Sequence, residues 1–284
     1  MRIVFATDLS EASEAAIRSR TCLACLGRIG VEEVHLVTVV PSNVGIPGAS
    51  LESSRRRTLD AQRGVFESAG FAVETHVVRG EPHRRINGIA DHVDAGLIVV
   101  GSRGASPLEN RFVGSTTRNV ARTAVVPLLV ERIAAGDEGD GPEVVREHLF
   151  EHVLFATDFS ENADRAFEFL PTLSGATRRV TLLYVLGREG RDAGLTPGAA
   201  RERLDALAAD LDPMGAETEV SVREGGPVGE ILAEEGRIEP TVTLLGSRGR
   251  SPLRRLLLGS VSESVVARGQ GNVLLVPPGS PVPR

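Results

Sequence analysis

One pattern is written twice along this chain, so whatever one copy folds into the other must fold into as well. The run IVFATDLSEASEAAIR (Ile3–Arg18) is echoed by VLFATDFSENADRAFE (Val153–Glu168), and VEEVHLVTVV (Val31–Val40) by TRRVTLLYVL (Thr177–Leu186). VVRGEP (Val77–Pro82) corresponds to VREGGP (Val222–Pro227). GSRGASPLENRFVGS (Gly101–Ser115) returns as GSRGRSPLRRLLLGS (Gly246–Ser260), with nine of fifteen positions identical. The order is kept throughout, which marks a tandem duplication of one domain and not a stack of short repeats. At 284 residues the chain has room for two domains of ordinary size. Between the copies, AAGDEGDGPE (Ala134–Glu143) is rich in glycine and acid and has no apolar period. A flexible linker is therefore expected over 134–149, between a first domain at 1–133 and a second at 150–284.

Within each copy short apolar runs alternate with longer stretches of helical period. In the first, strands are expected at about Arg2–Thr7, Val34–Val40, Ala72–Val78, Leu97–Gly101 and Pro127–Glu131. Helices are expected at about Glu11–Leu26, Leu51–Ala69, Arg84–Val93 and Ser115–Arg122. The strands read as continuous Val/Ile/Leu runs, as they do when both faces are covered. Strand–helix alternation implies right-handed crossovers and a parallel sheet. The fold class is therefore α/β: two tandem, doubly wound, five-stranded parallel-sheet domains. Ser10 and Ser160 stand where helix N-caps belong, with Glu14 and Asp164 in the first turns.

Composition narrows the chemistry. The formal net charge of −6 argues against a general nucleic-acid binder, which needs clustered positive charge. All 32 basic residues are arginine. Without lysine there is no P-loop of the GK[ST] type, no Schiff-base amine and no kinase strand lysine. The chain opens directly into strand-like RIVFAT, and no apolar run reaches the ~18–20 residues of a membrane helix. A soluble cytoplasmic protein with no membrane partner is expected. Cys22 and Cys25 form a lone C-x-x-C late in a helical stretch, where positions i and i+3 share a face, and they read as apolar packing.

In open parallel sheets ligands bind beyond the carboxyl ends of the strands, where strand order reverses. Three places in each copy meet that rule. They are Thr7-Asp8 and Thr157-Asp158 after the first strand, Val39 and Val185 near the end of the second, and the glycine-bearing turn after the fourth. Glycine belongs where backbone takes positive φ or approaches a ligand closely. Gly101 and Gly104, with Gly246 and Gly249, would form the turn. Gly114-Ser115 and Gly259-Ser260 would open the next helix, whose first N–H groups lack internal partners and suit an anion. Arg103 and Arg111 in the first copy, and Arg248, Arg254 and Arg255 in the second, would add charge nearby. Gly114-Ser115 also reads as a turn with an ordinary N-cap, and Asp8 and Asp158 as carboxylates bonded to amides of their own turns. The sharper reading makes the loop a phosphate cradle and the two aspartates acceptors for ribose hydroxyls.

These residues resemble the universal stress protein family in its tandem-domain form. The ATP-binding subgroup of that family carries G-x2-G-x9-G-[ST], present here as Gly101-x2-Gly104-x9-Gly114-Ser115 and Gly246-x2-Gly249-x9-Gly259-Ser260. FATDLS and FATDFS resemble its first-strand signature, and the similarity covers nearly the whole chain outside the linker and the last residues. The resemblance implies a fold of the adenine nucleotide alpha-hydrolase-like class with strand order 3-2-1-4-5. It also implies ATP (or ADP or AMP), with Mg2+, as the ligand. Asp8 and Asp158 would then meet the ribose, the backbone of Val39 and Val185 the adenine, and the glycines with Ser115 and Ser260 the phosphates. Thr116 in the first copy and Val261 in the second follow that serine and would tune affinity. Finally, the resemblance implies edge-to-edge pairing of the fifth strands, here PLLVE with NVLLVP, as an intramolecular pseudo-dimer that can associate further into a homodimer with protein partners not specified.

No histidine or acid is placed by motif to activate a water, so no catalytic residue is expected. His83 has Val228 as its counterpart. His35 and His76 fall in strands and His92 in a helix, and all three read as structural. His148 and His152 lack a third ligand, so no metal site is expected. Three functions stay open: a nucleotide-binding regulatory protein of the stress-response type, a slow ATPase, or an interaction module with empty sites. The adenylate-forming signatures SGGxDS and HxGH are absent.

Overall fold

The computed structural model describes residues 1–42, 48–102, 113–135, 142–144, 148–188, 194–249 and 258–279. The first half runs β1 (Arg2–Ala6), α1 (Glu11–Arg18), α2 (Arg20–Arg28), β2 (Glu33–Val40), α3 (Gly48–Ser68), β3 (Ala72–Arg79), α4 (Pro82–His92), β4 (Leu97–Gly101), α5 (Ser115–Thr123) and β5 (Leu128–Glu131). A short hairpin, β6 (Ile133–Ala135) and β7 (Pro142–Val144), follows. The second half runs β8 (His152–Thr157), α6 (Glu161–Phe169), β9 (Arg179–Leu186), α7 (Pro197–Asp210), β10 (Glu217–Glu224), α8 (Pro227–Ile238), β11 (Val242–Gly246), α9 (Ser260–Arg268) and β12 (Asn272–Val276).

Every strand pair inside a half is parallel, in the orders β3-β2-β1-β4-β5 and β10-β9-β8-β11-β12. Both are the 3-2-1-4-5 order of a doubly wound sheet. The halves meet through β5 and β12, which pair antiparallel with Leu128 opposite Leu275, Leu129 opposite Leu274 and Val130 opposite Val273. Ten strands thus form one sheet, and two edges that would otherwise stay open are closed against each other.

Alternation along the strands sorts side chains to two faces. Ile3, Phe5, Leu36, Val99 and Leu129 pack with Phe155, Leu182, Leu244 and Leu274 on the face covered by α1, α2, α3, α6 and α7. Val4, Val37, Ile98 and Val130 pack with Leu154, Leu183, Leu245 and Val273 on the face covered by α4, α5, α8 and α9. The register at β5–β12 keeps Leu129 with Leu274 on one face and Val130 with Val273 on the other, so both apolar layers run through the junction.

Buried polar contacts lock the junction further. The Arg132 guanidinium donates to the carbonyls of Gly271, Val265 and Val266, the last two in the final turns of α9. Its backbone N–H donates to Asn272 Oδ1 at 2.8 Å. A cation at a helix C-terminus meets both the unpaired carbonyls and the negative end of the dipole. Burial lowers the Arg132 pKa to about 10, opposed by the nearby Glu235 carboxylate. On the opposite side of the sheet Gly175 passes so close to α2 that a Cβ there would lie 2.2 Å from Arg28 O.

Two features differ from the sequence expectation. The helix expected over Glu11–Leu26 is broken at Ser19 (φ −68°, ψ 101°), whose hydroxyl accepts from Cys22 N and caps α2. A serine can exchange a helix bond for a cap, and here it does. The linker also carries regular structure, since Ile133–Ala135 pairs antiparallel with Pro142–Val144. A ladder there satisfies backbone groups of a chain leaving a buried strand. Cys22 and Cys25 are both buried and unpaired. Among the described residues no helix is long and apolar enough to cross a membrane.

Candidate functional site

The carboxyl ends of the first and fourth strands of each half meet at the point where the strand order reverses. After β1, Thr7 Oγ1 accepts from Leu9 N at 3.0 Å, and after β8 Thr157 Oγ1 accepts from Phe159 N at 2.9 Å. Asp8 Oδ1 accepts from Ser10 N at 3.0 Å, and Asp158 Oδ1 from Ser160 N at 3.0 Å. The residue after each aspartate is left-handed, Leu9 at φ 66° and Phe159 at φ 55°. Such a conformation costs a non-glycine residue roughly 1–3 kcal/mol and tends to persist at functional turns. Its recurrence here aims the two aspartates alike. Ser10 and Ser160 then cap α1 and α6 as expected, accepting from Ser13 N and Ala163 N at 3.3 Å.

The glycine loop is closed by the same three bonds in each half. Ser102 N donates to Glu131 O at 2.8 Å, and Ser247 N to Val276 O at 2.9 Å. Gly114 N donates to Ser102 O at 3.0 Å, and Gly259 N to Ser247 O at 2.8 Å, pinning the far end of the loop to its start. Thr117 Oγ1 donates to Gly101 O at 2.7 Å, and Ser262 Oγ to Gly246 O at 2.8 Å, tying helix to strand end. Between these anchors Arg103, Gly104 and Arg111 in the first half lie outside the described residues, as do Arg254 and Arg255 in the second.

Glycine is used here for close approach and not for left-handed backbone. Gly114 (φ −57°) and Gly259 (φ −64°) are extended N-caps of α5 and α9, with no side-chain cap over the first N–H groups. A Cβ on Gly259 would touch Arg248 Cα, Gly249 N and Ser247 O, each at 3.4 Å. On Gly246 it would lie 2.9 Å from Asn162 O, which excludes any side chain. On Gly249 it would lie 3.1 Å from Asp158 Oδ2, so the bare backbone of the loop passes close beside the carboxylate.

In the second half the structure therefore brings Asp158, Arg248, Gly249 and Gly259 together, with Ser260 and Val261 opening α9 beside them. Ser115 and Ser260 are exposed, as is Thr116, while Val261, Val39 and Val185 are half-buried. Val39 and Val185 lie near the carboxyl ends of β2 and β9, next to β1 and β8.

Sequence reasoning missed Asn162. Its Nδ2 donates to Val276 O at 3.0 Å and its Oδ1 accepts from Arg248 N at 2.7 Å, so one amide holds the start of the loop to α6. The first copy has Ala12 there, so repetition could not flag it. Thr117 and Ser262 were legible in principle, as hydroxyl residues at equal spacing in both copies. The second half also stacks Phe159 on Tyr184, centroids 4.6 Å apart, with Arg203 above Phe159 at 5.5 Å.

Two doubly wound domains on a shared sheet, each with an aspartate turn after its first strand and the same loop-closing bonds after its fourth, define a tandem α/β protein. The universal stress protein family model matches residues 1–132 and 149–277, and the chain belongs to that family. A universal stress protein from Archaeoglobus fulgidus has a solved structure similar over 98% of both chains, with TM-score 0.75 and 26% identity. A universal stress protein of Methanocaldococcus jannaschii is 26% identical over 153 residues, 45% of this chain and 93% of its own length. Universal stress protein E of Escherichia coli is 32% identical over 108 residues, 34% of either chain.

Proposed function

We propose that the chain is a regulatory nucleotide-binding protein of the stress-response type, holding ATP or another adenine nucleotide at the carboxyl end of the sheet in each half. The observation that carries this reading is the triple closure after the fourth strand, reproduced in both halves together with an aspartate after the first strand that accepts from the amide two residues on. The close approach of the Gly249 backbone to Asp158 Oδ2, open to a residue without a Cβ, supports a carboxylate and a glycine loop serving one ligand. The uncapped N–H groups of α5 and α9 suit phosphate oxygens. In this assignment Asp8 and Asp158 hold the ribose, backbone at Val39 and Val185 faces the adenine, and Gly104, Gly114, Ser115, Gly249, Gly259 and Ser260 face the phosphates. Arg103 and Arg248 add charge from the loop. Magnesium would be held mainly through phosphate oxygens and water, neutralising their charge. Micromolar affinity needs about −8 kcal/mol, within reach of several charge-assisted bonds at about 1.5–3 kcal/mol each after ordering costs. The reading assigns no residue to catalysis; the bound nucleotide acts by altering the surface offered to partner proteins.

Replacing Gly114 and Gly259 together by valine tests the assignment. The added side chains would crowd the loop start, and ATP affinity should fall at least a hundredfold while far-UV dichroism stays unchanged. Unaltered affinity in the folded variant would overturn the loop assignment.

A further inference from the structure

The other end of the first half carries a constellation that the nucleotide reading does not use. His35 on β2 is in register with Glu74 on β3, and Val37 with His76, so the imidazoles and the carboxylate share one face of adjacent strands. His35 Nδ1 lies 3.0 Å from His76 Nε2 and 3.6 Å from Glu74 Oε2, and His76 Nε2 lies 3.9 Å from Glu74 Oε1. Zinc–nitrogen and zinc–oxygen bonds of about 2.0–2.2 Å put neighbouring tetrahedral ligands roughly 3.3–3.5 Å apart. The three observed lengths, the two to Glu74 being to different carboxylate oxygens, bracket that value. Two imidazole nitrogens facing each other at 3.0 Å either share a proton or point two lone pairs at one cation.

We propose that His35 Nδ1, His76 Nε2 and the Glu74 carboxylate bind a divalent first-row transition ion of zinc's kind, with the fourth position open to water. The outer ring atom supports this. His35 is 3% exposed, and its Nε2 is buried with no hydrogen-bond partner. Glu33 Oε1 stands 3.4 Å from that nitrogen, while Arg2 Nε donates to Glu33 Oε2 at 3.1 Å. Once the metal takes the Nδ1 lone pair, the proton must sit on Nε2, where Glu33 receives it. Metal-bound histidines are usually fixed by such a carboxylate. Two imidazoles with one carboxylate favour zinc-like ions over magnesium or calcium, which take oxygen.

Access and location separate this site from the nucleotide site. The Glu74 side chain is 63% exposed and that of His76 19%. Beside the cluster a hollow of about 1210 Å3 opens at the amino-terminal ends of the strands, lined in part by Arg2, Glu33 and Ala72. The glycine loops lie at the opposite ends. The second half has no counterpart, because Thr181 and Ser221 occupy the positions of His35 and His76, and Thr181 Oγ1 is bonded to His152 Nε2 at 3.0 Å. Among the described residues this is the one such cluster, so one ion is expected at it.

The test is competition for Zn2+ between the metal-stripped full-length chain and a chromophoric chelator, with Co2+ absorption as the report on coordination. The wild-type chain should bind one equivalent of Zn2+, and Co2+ should give the intense visible bands of a four-coordinate site. Glu74→Gln, at an exposed position that folding tolerates, and His76→Gln should each weaken Zn2+ more than a hundredfold with unchanged dichroism. Glu33→Gln should weaken it roughly 10–100-fold. Absence of Zn2+ uptake by the wild-type chain would reduce the cluster to a hydrogen-bonded imidazole pair. Equal affinity in Glu74→Gln and His76→Gln would place the metal elsewhere. Either result overturns the proposal.

Discussion

The two halves keep the same backbone bonds and differ in what surrounds them. In the first, Asp8 Oδ1 accepts from Ser10 N, from Ser10 Oγ at 2.5 Å and from Ser13 Oγ at 2.7 Å. In the second, Ala163 replaces Ser13, and Asp158 faces Gly249 with Phe159 stacked on Tyr184 beside it. The loop is held to α6 by Asn162 in the second half, where the first has Ala12. Below the loop, the first half buries Glu131 where the second buries Val276. Duplication has preserved the strand-end scaffold, and the divergence has collected in the side chains that tune it. The scaffold rests on backbone bonds indifferent to most substitutions, and a side-chain network answers to every one.

The largest expected contrast comes from Glu131. It is 1% exposed, and burial lifts its pKa from 4.5 to about 7, while a hydrogen bond from the Cys22 thiol pulls it slightly back. Burial first, and the nearby Glu131 carboxylate after it, push the Cys22 thiol up. The folded-state value lies above the unfolded one, so the folded chain holds a proton that the unfolded chain has already lost. Glu131 therefore contributes stability that is complete below about pH 4.5 and drains away as pH rises to about 7. The loss is roughly 3 kcal/mol. Urea midpoints between pH 5 and 8 should fall in the wild-type chain, and Glu131→Gln should flatten most of the slope. Val276→Glu should add a similar fall from the second half. A slope unchanged by Glu131→Gln would break this account of the asymmetry.

A smaller effect sharpens the comparison from the other side. Asn162→Ala removes one buried and one partly buried bond; Val276 O keeps Ser247 N, while Arg248 N loses the Asn162 acceptor, at a cost of about 1–3 kcal/mol. The loss should appear in urea unfolding followed by Tyr184, the chain's single tyrosine, which reports on the second half. ATP affinity should fall by less than the change produced by Gly259→Val. An Asn162→Ala variant with wild-type stability would mean that the backbone bonds alone hold the loop start.

How far the sequence carried depends on the kind of signal. The parallel sheets and their duplication followed from continuous apolar runs and tandem repetition, because burial on both faces leaves a local trace. Strand order and the edge-to-edge pairing of PLLVE with NVLLVP came from the resemblance, and the antiparallel sense of that pairing came from the structure. The break at Ser19 left none, since a serine inside a helical period reads as helix until its hydroxyl is seen capping. The hairpin at Ile133–Val144 was hidden by polar composition. Asn162 and the His35–Glu74–His76 cluster were invisible for another reason. Each exists through residues distant along the chain, and each belongs to one copy only, so repetition, the strongest signal here, was silent on both.

The central claim is that both halves retain a working nucleotide site, and it is tested most directly by calorimetric titration of the nucleotide-stripped chain with Mg-ATP. The account expects two equivalents, with the two sites distinguishable in affinity because Thr116 and Val261, Ser13 and Ala163, and Leu9 and Phe159 surround them differently. Removal of one equivalent by Gly259→Val should leave the other undisturbed. Binding of no equivalents across several temperatures would contradict the claim and leave a shared scaffold without its ligand.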